Sequence, residues 1–490
     1  MSTITVKNLT FSYEGSYEDV FEDVSFQFDT DWKLGFVSRN GRGKTTFLRL
    51  LMGEYQYQGT ISSAVVFSYF PFLVEDTSVN TIDIVDAIDP DYEFWELCRE
   101  MNMLDVPEDV LFRPFESLSF GERTKTLMAA MFLREDRFLL LDEPTNHLDQ
   151  KGKQTIAKYL YGKKGFLLVS HDRALLDAVT DHTLSINKTN IEIQSGNYSQ
   201  WFENKERQDH FEIEENRKLK KDIDRMQTAA RQTSNWSSKV ESTKTGNGPV
   251  DRGFIGHKSA KMMKRSKTLE SRQQDAIDKK SSLLKNIESV GTLKLSPLSY
   301  RADTLIEIMD LSVDYGSGPV FEDASFSIKR GDRIALAGGN GSGKSSVLKL
   351  LTGENLPHSG LVKISSGVTI SYVSQDTSQL TGDMKSFAVS SGIDYTLFLA
   401  ILRNFGLERV HFEHDLQELS EGQKKKVLIA RSLAESTHLY IWDEPLNFID
   451  IPSRIQIEEL LLKYEPTMIF VEHDEVFVNK VSTQIIELMG

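Results

Sequence analysis

The sequence contains a single cysteine, Cys98, and no apolar run as long as a membrane-spanning helix requires. One cysteine cannot form an intramolecular disulfide, which favours a reducing compartment. The N-terminal stretch MSTITVKNLTFSY lacks the basic-then-apolar pattern of a secretory signal. These absences exclude a disulfide-stabilised scaffold and argue against a membrane channel, and we expect a soluble, cytoplasmic protein.

Basic residues are also scarce, except in one segment. The 490 residues carry a net charge of −15. Residues 201–296 nevertheless hold 21 Lys/Arg against 14 Asp/Glu, so the remainder of the chain is close to −22. Within 217–267 the count is 14 basic to 4 acidic. An acidic body with one basic segment suggests that this segment meets an anionic partner.

The chain is built from two similar halves. VFEDVSF and VFEDASF, LSFGE and LSEGQ, and FLLLDEPTNHLD and LYIWDEPLNFID occur in the same order. Lys44 lies 75 residues before Ser119, and Lys344 lies 76 residues before Ser420. Apolar strands alternate with helical stretches, which predicts an α/β fold with a mainly parallel sheet in each half. Repeated motifs at fixed spacing indicate function rather than generic core packing.

A phosphate-binding loop opens each half. The pattern G-x-x-x-x-G-K-[ST] presents backbone N–H groups and a lysine to phosphates, and its hydroxyl to Mg²⁺. GGNGSGKSS at 338–346 fits the pattern, whereas SRNGRGKTT at 38–46 has Ser38 in place of the first glycine. We expect both loops to bind nucleotide phosphates.

Acidic residues and a histidine follow the later strands of each half. Asp142 and Asp443 end apolar runs, where a carboxylate can complete a Mg²⁺ shell. Glu143 and Glu444 come next and are candidates to polarise the attacking water. The histidines of VSHD and VEHD, at 171 and 473, are candidates to contact the γ-phosphate. The predicted catalytic residues are therefore Glu143, Glu444, His171 and His473.

These motifs resemble the nucleotide-binding domains of the ATP-binding-cassette superfamily. The resemblance implies two composite sites, in which the LSFGE or LSEGQ signature of one half caps ATP held by the other. Gln375 matches a family glutamine near Mg²⁺, whereas the first half has Phe72 there. Tyr13 and Tyr315 either stack on adenine or belong to the core. The predicted ATP-binding residues are Tyr13, Ser38, Asn40, Gly41, Gly43, Lys44, Thr45, Thr46, Ser119, Gly121, Tyr315, Gly338, Asn340, Gly341, Gly343, Lys344, Ser345, Ser346, Gln375, Ser420 and Gly422. The predicted Mg²⁺ residues are Thr45, Asp142, Ser345, Gln375 and Asp443.

A helical hairpin is predicted between the halves. Leu219, Ile223 and Met226 form one narrow apolar seam. On the return path, a similar seam is continued by Ile277, Leu284 and Ile287. A helix over 201–238 would be roughly 55 Å long. The intervening basic loop carries residues suited to phosphates and bases. The predicted contact residues for rRNA or a drug site are Trp236, Lys258, Met262, Met263 and Lys264. A passive solvated linker is the alternative.

Two cassettes, no membrane span and a charged hairpin resemble the ABC-F family, and within it the antibiotic-resistance branch of the Lsa and Vga type. The resemblance implies two tandem ABC-type P-loop ATPase domains, at 1–200 and 297–490, joined by a hairpin linker at 201–296. It also implies a monomer that enters the exit-tRNA site of the 70S ribosome, near 23S rRNA of the peptidyl-transferase centre and P-site tRNA. The expected outcome is displacement of lincosamides, streptogramin A compounds and pleuromutilins, without a transmembrane partner.

Three other functions stay open on the sequence. A housekeeping ABC-F translation factor would bind the ribosome without any drug role. The ATPase subunit of a drug exporter would dock on a membrane protein, and the basic hairpin would then have no purpose. A DNA-associated ATPase would use the same basic segment to grip a duplex.

Overall fold

The structure is a computed structural model that describes most of the chain. It covers residues 2–15, 19–39, 41–134, 136–146, 148–186, 191–242, 293–316 and 318–488, and gives only the helical backbone for 226, 227 and 229–242. The chain divides into two compact units. One comprises Met1–Trp201 together with Gly291–Gly490, and the other comprises Phe202–Val290.

Each half contains a small antiparallel sheet and a larger, mainly parallel one. The strands are β1 Thr3–Phe11, β2 Phe21–Asp29, β3 Lys33–Val37, β4 Gln58–Ser62, β5 Val66–Phe70, β6 Arg137–Asp142, β7 Phe166–Val169, β8 His182–Ile186, β9 Ile191–Ser195, β10 Thr304–Asp314, β11 Pro319–Lys329, β12 Arg333–Ala337, β13 His358–Ile364, β14 Ile370–Val373, β15 Leu439–Asp443, β16 Met468–Val471 and β17 Gln484–Glu487.

Helices connect and cover these strands. The α-helices are Lys44–Leu51, Thr81–Ile88, Phe94–Met103, Phe120–Met131, Gln150–Tyr161, Arg173–Val179, Tyr198–Ser242, Lys344–Leu351, Met384–Ser390, Tyr395–Asn404, Glu421–Ala434, Ile451–Tyr464 and Glu475–Val481. Short 3-10 helices span Glu108–Phe112, Phe115–Ser117, Arg409–Phe412 and Leu416–Glu418. None of the described helices combines the length and the apolar character that crossing a membrane needs.

The two large sheets share one strand order. The first runs β5-β6-β7-β3-β8-β9, and the second runs β14-β15-β16-β12-β17. All neighbours are parallel except β8 and β9, which pair antiparallel. The phosphate-loop strands β3 and β12 therefore lie beside β7 and β16. Their carboxyl ends meet at one edge, which is where such sheets bind ligands.

Aromatic packing fixes the first phosphate-loop helix on its sheets. Phe47 is fully buried, and its ring centroid lies 6.1 Å from that of Phe21 and 5.7 Å from that of Phe36. Val347 is equally buried at the matching place in the second half. Burial of each such side chain contributes about 1.5–3 kcal/mol. The phosphate-loop helices are thus held against their sheets by buried side chains.

One long helix leaves the first half. Tyr198–Ser242 has 45 residues and is roughly 67 Å long, somewhat longer than the arm predicted over 201–238. Its root is anchored, because the Ser199 N–H donates to Asp177 Oδ1 at 2.7 Å and the Ser199 hydroxyl donates to Asp177 Oδ2 at 2.5 Å. Asp177 lies on the short helix Arg173–Val179.

Within the second unit, the same helix has one less exposed face. Leu219 is half-buried and Ile223 is buried, whereas Phe211 is 62% exposed. The more covered side chains recur every three or four residues, at Phe202, Lys205, Asp209, Glu212, Asn216, Leu219 and Ile223. This spacing is typical of a helix with a single seam. The predicted return path through Ile277, Leu284 and Ile287 lies outside the described residues.

Candidate active sites

Each phosphate loop contains a glycine at which any side chain would be strained. Gly43 has φ 90° and Gly343 has φ 84°, in the left-handed region that favours glycine. A Cβ on Gly43 would lie 2.7 Å from Val20, and one on Gly343 would lie 2.6 Å from Phe321. Val20 and Phe321 belong to the repeated VFED segments, so that segment and the loop are matched in shape.

The loop lysines lie folded over their own loops. Lys44 Nζ donates to the Ser38 carbonyl at 3.1 Å. Lys344 Nζ donates to the carbonyls of Gly338 and Gly339 at 2.9 and 2.7 Å. Burial lowers the pKa of both ammonium groups, against the opposing effect of nearby carboxylates. A nucleotide phosphate would supply a further negative charge.

The predicted Mg²⁺ residues are adjacent in both halves. Thr45 Oγ1 donates to Asp142 Oδ2 at 3.1 Å, and the Ser345 hydroxyl is hydrogen-bonded to Asp443. Burial raises the pKa of both aspartates. Asp443 Oδ1 is buried without a hydrogen-bond partner. A hydroxyl beside a carboxylate in need of a cation suits Mg²⁺, which would take its other ligands from phosphate and water.

The following glutamates lie in strained backbone. Glu143 has φ 51° and Glu444 has φ 45°, which is uncommon for residues with a side chain. Their N–H groups donate to the carbonyls of Val169 and Val471 at 2.9 and 3.0 Å. These bonds to the neighbouring strand hold the glutamates at the sheet edge, where an attacking water would lie.

The two glutamates differ in their surroundings. Glu143 Oε1 is buried without a hydrogen-bond partner, and burial together with the Asp142 charge raises its pKa to about 8. Glu444 Oε2 accepts from Gln375 Nε2 at 2.8 Å and from Asn447 Nδ2 at 2.6 Å. Burial alone would raise the pKa of Glu444, but His473, Lys425 and Gln375 outweigh it and hold that pKa below its usual value.

Each histidine approaches its glutamate. His171 Nε2 lies 3.5 Å from Glu143 Oε1, and His473 Nε2 lies 3.5 Å from Glu444 Oε1. Burial, and then the Lys44 charge, lower the pKa of His171 well below its usual value, so the first imidazole is neutral at pH 7. The first site thus places a neutral imidazole beside a carboxyl group whose pKa is raised.

Both halves line one cavity of 510 Å³. The first half contributes Glu143, Leu148 and His171, among others, and the second contributes the phosphate loop from Asn340 to Ser346, together with Gln375, Glu444 and His473. Asp149 of the first half raises the pKa of Lys344, and Asp450 of the second half raises the pKa of Lys44, each against the larger effect of burial. The halves therefore face each other head to tail.

The residues of the LSFGE and LSEGQ signatures lie at the starts of two helices. Ser119 and Ser420 are N-caps of the helices Phe120–Met131 and Glu421–Ala434, each in a reciprocal capping box. Gly121 lies next to Leu148, which lines the cavity. Among the described residues, the cavity lining includes neither Ser119 nor Gly121. Capping of ATP by the opposite signature stays a prediction.

The two tyrosines lie beside the phosphate-loop helices. The hydroxyl of Tyr13 is 2.6 Å from Thr46 Oγ1, and that of Tyr315 is 2.8 Å from Ser346 Oγ. Their rings are 45% and 52% exposed, so neither ring belongs to the core. Stacking on adenine stays a prediction. Asn40 lies outside the described residues.

The sequence argument missed several residues of the site. Tyr69 donates its hydroxyl to Asp142 Oδ2 at 2.9 Å. Arg454 and Lys153 line the cavity, and Asp450 forms a buried ion pair with Lys426 at 2.6 Å. A signal existed for two of them, because Tyr69 and Asp450 lie in the repeated motifs SYF/SYV and NHLD/NFID. Nothing in the sequence marks Arg454.

The residues predicted for the linker tip cannot be placed. Trp236 lies in the long helix, but its side chain is outside the described part of the chain. Lys258, Met262, Met263 and Lys264 are also outside it.

Comparison with known proteins gives a consistent result. A family model described as ABC transporter matches residues 21–146 and again 321–447. The ribosome protection protein VmlR of Bacillus subtilis (strain 168) is 27% identical over 492 residues, covering 97% of this chain and 85% of the relative. The energy-dependent translational throttle protein EttA of Haemophilus influenzae is 25% identical over 523 residues, covering 96% and 89%.

A solved structure is similar in fold. The archaeal ribosome recycling factor aABCE1, in complex with the stalk protein aP1, has a TM-score of 0.64 and 20% identity, covering 99% of this chain and 87% of that one. Together with the two family matches, it confirms the predicted tandem ABC-type ATPase domains. ATP hydrolysis, with ATP and Mg²⁺ as cofactors, is a property of these domains.

Proposed function

Because the chain belongs to the ABC transporter family, whose model it matches twice, we propose that it is an ATP-driven ribosome-binding protein that protects the ribosome from antibiotics. It acts in the cytoplasm as a monomer. Closure on ATP lets it occupy the exit-tRNA site of the 70S ribosome. The linker tip then approaches 23S rRNA at the peptidyl-transferase centre and P-site tRNA, and displaces lincosamides, streptogramin A compounds or pleuromutilins.

The observation that carries this proposal is similarity over the whole length, linker included. VmlR, described as a ribosome protection protein, covers 97% of this chain. The similarity therefore extends across the basic segment, where residues 217–267 hold 14 basic and 4 acidic side chains. Such a charge excess favours binding to RNA phosphates. An ATPase subunit of an exporter would have no use for it.

ATP supplies the switch in this proposal. Lys44 and Glu143 each lie near a charged residue of the second half, and Lys344 and Glu444 line a cavity to which the first half contributes. Nucleotide bound there would hold the halves together, and its hydrolysis would release them. Glu143 and Glu444 would orient the attacking waters, while His171 and His473 would contact the γ-phosphate.

The linker tip supplies the contact with the ribosome. Lys258 and Lys264 would neutralise rRNA phosphates, and Trp236 would stack on a base. Met262 and Met263 would offer an adaptable apolar surface near the drug site. Displacement would then follow from direct contact with the drug or from a shift of the bases that hold it.

Cell-free translation under a panel of large-subunit antibiotics tests the proposal. The protein should restore synthesis under lincomycin or a pleuromutilin, and Lys258→Glu/Lys264→Glu should abolish the rescue. Lys363→Glu, on the exposed edge strand β13, is the matched control and should rescue normally. No rescue by the unmodified chain would contradict the drug role.

Ribosome binding is tested separately. The double variant Glu143→Gln/Glu444→Gln should hold ATP and co-sediment with 70S particles. If it sediments free of ribosomes in ATP, ribosome binding itself is wrong. The similarity to EttA supports a second candidate, a translation factor without a drug role. Such a factor would co-sediment with ribosomes and change translation in the absence of drug. It would not restore translation in the presence of an antibiotic.

A further inference from the structure

Arg173 of the first half reaches into the second half. Its side chain is 9% exposed, and its guanidinium is hydrogen-bonded to Glu458, which is fully buried. Arg173 Nη2 also lies 3.4 Å from Asp474 Oδ2. We infer that Arg173 is a positioning residue of the second ATP site, although its chain neighbours belong to the first.

Asp474 is the group through which Arg173 acts. It follows His473 directly, and it caps the helix Glu475–Val481 by accepting from the Phe477 N–H at 3.0 Å. It also accepts from Arg454 Nη1 at 3.0 Å. The position of this carboxylate therefore fixes the backbone that carries His473, whose imidazole meets Glu444.

Arg454 extends the same network to the loop after Glu444. Its Nη2 donates to the Leu446 carbonyl and its Nε to the Ile449 carbonyl, both at 2.9 Å. Leu446 and Ile449 lie between Glu444 and the helix Ile451–Tyr464. The carboxylate of Asp474 thus joins the histidine loop and the glutamate loop of the second site to Arg173.

Removing Arg173 would unbalance buried charge. Glu458 would keep only Lys480, at 3.0 Å, as a charged partner in the described contacts, and Lys480 is 46% exposed. Asp474 would keep Arg454 as a charged partner. Loss of one member from a buried ion network costs far more than the pair contributes while intact, because a charge is left without compensation. Relaxation of Asp474 and Glu458 would then displace His473.

The matching position of the second half lacks this arrangement. Glu475 follows Asp474 as Arg173 follows Asp172, and it is bonded to the neutral side chains of Gln150 and Gln154, the latter at 3.2 Å. In the described contacts, Asp172, the counterpart of Asp474, forms its ion pair with Lys153 of its own half and not with a cation of the second half. We therefore expect ATP hydrolysis at the second site to depend on Arg173 of the first half, without a matching dependence of the first site on the second half.

ATPase kinetics of the full chain test this inference without ribosomes. In a Glu143→Gln background, the remaining ATP hydrolysis comes from the second site. In a Glu444→Gln background, it comes from the first. Arg173→Met should lower kcat about tenfold in the Glu143→Gln background, with KM changed less than about twofold. In the Glu444→Gln background, kcat should change less than about twofold. Arg173→Lys, which keeps the cation, should recover kcat to within about threefold of the parent.

Gln154→Leu is the matched control, since it removes the corresponding contact with Glu475, and it should leave both backgrounds unchanged. If Arg173 had a purely structural role, Arg173→Met would lower kcat in both backgrounds. If it acted locally, Arg173→Met would lower kcat of the first site, to which the neighbouring His171 belongs. Either result, or an unchanged second-site rate in Arg173→Met, overturns the inference. Ribosome protection has no part in these outcomes, so the two proposals fail independently.

Discussion

The two active sites carry the same glutamate and histidine in unlike surroundings. In the first, Glu143 Oε1 has no hydrogen-bond partner, and the pKa of Glu143 is raised to about 8. In the second, Glu444 is held by Gln375, Asn447 and His473, and its pKa is lowered. The motif DEP is identical in both. The contrast teaches that a motif fixes where a group lies, whereas its neighbours fix its protonation.

The neighbours differ because the repeats have diverged around the motifs. Phe72 stands where the second half has Gln375, and Ser170 stands where it has Glu472. An aromatic ring cannot donate the hydrogen bond that Gln375 gives to Glu444. The first site has thus lost a polar contact while keeping the carboxylate, and we expect it to hydrolyse ATP more slowly at pH 7.

The largest expected effect comes from removing both glutamates. Glu143→Gln/Glu444→Gln should lower steady-state ATP hydrolysis about 100-fold or more, since each carboxylate activates a water. Of the single variants, Glu444→Gln should lose the larger share, because Glu444 is positioned by a hydrogen bond from Gln375 that Glu143 lacks. Phosphate release measures this. Equal losses of ATP hydrolysis in the two single variants would contradict the prediction that the sites differ in activity.

Stability without nucleotide or Mg²⁺ should depend on pH with opposite signs at the two sites. A carboxyl whose pKa is raised by folding loses stability as pH rises from its unfolded value of 4.5 to about 8, as for Glu143. The free energy of unfolding of Glu143→Gln should therefore rise relative to that of the unmodified protein over that range, by on the order of 4 kcal/mol.

Glu444→Gln is the matched comparison. Because the pKa of Glu444 is lowered, its contribution is present above the usual value and is lost as pH falls through the folded value. Glu444→Gln should therefore be less stable than the unmodified protein at neutral pH. Melting temperatures measured in EDTA from about pH 5 to about pH 8.5 check both signs. The same sign for both variants would contradict the structure.

The smallest expected effect concerns Gln375. Gln375→Phe copies the first half and removes the 2.8 Å hydrogen bond to Glu444. A typical hydrogen bond contributes about 1–1.5 kcal/mol net, so second-site kcat in the Glu143→Gln background should fall about fivefold to tenfold. Phe72→Gln in the Glu444→Gln background is the reciprocal variant, and it should not reduce first-site hydrolysis.

The sequence predicted the parts that ATP itself constrains. Phosphate loops, Asp142 and Asp443 at strand ends, and the following glutamates all lie where the motifs predicted, because phosphate and Mg²⁺ accept few alternatives in type or spacing. The long helix was predicted too short at both ends. It begins at Tyr198, where Asp177 anchors Ser199, and continues to Ser242, since no glycine occurs before Gly246.

The contacts between the halves could not be predicted. Arg173 and Glu458 are 285 residues apart and lie in no recognisable motif. Their pairing depends on which faces of two similar helices meet, and a charge pattern on one helix does not reveal that. The unequal surroundings of Glu143 and Glu444 likewise arise from packing, and only Phe72 hinted at them.

The short helix Arg173–Val179 has a mechanical consequence. One turn, about 6 Å, separates Arg173, which the second half grips, from Asp177, which holds the root of the long helix at Ser199. Neither contact can shift without disturbing the other. The short helix therefore links the grip of the second half on Arg173 to the root of the long helix at Ser199 through a single turn.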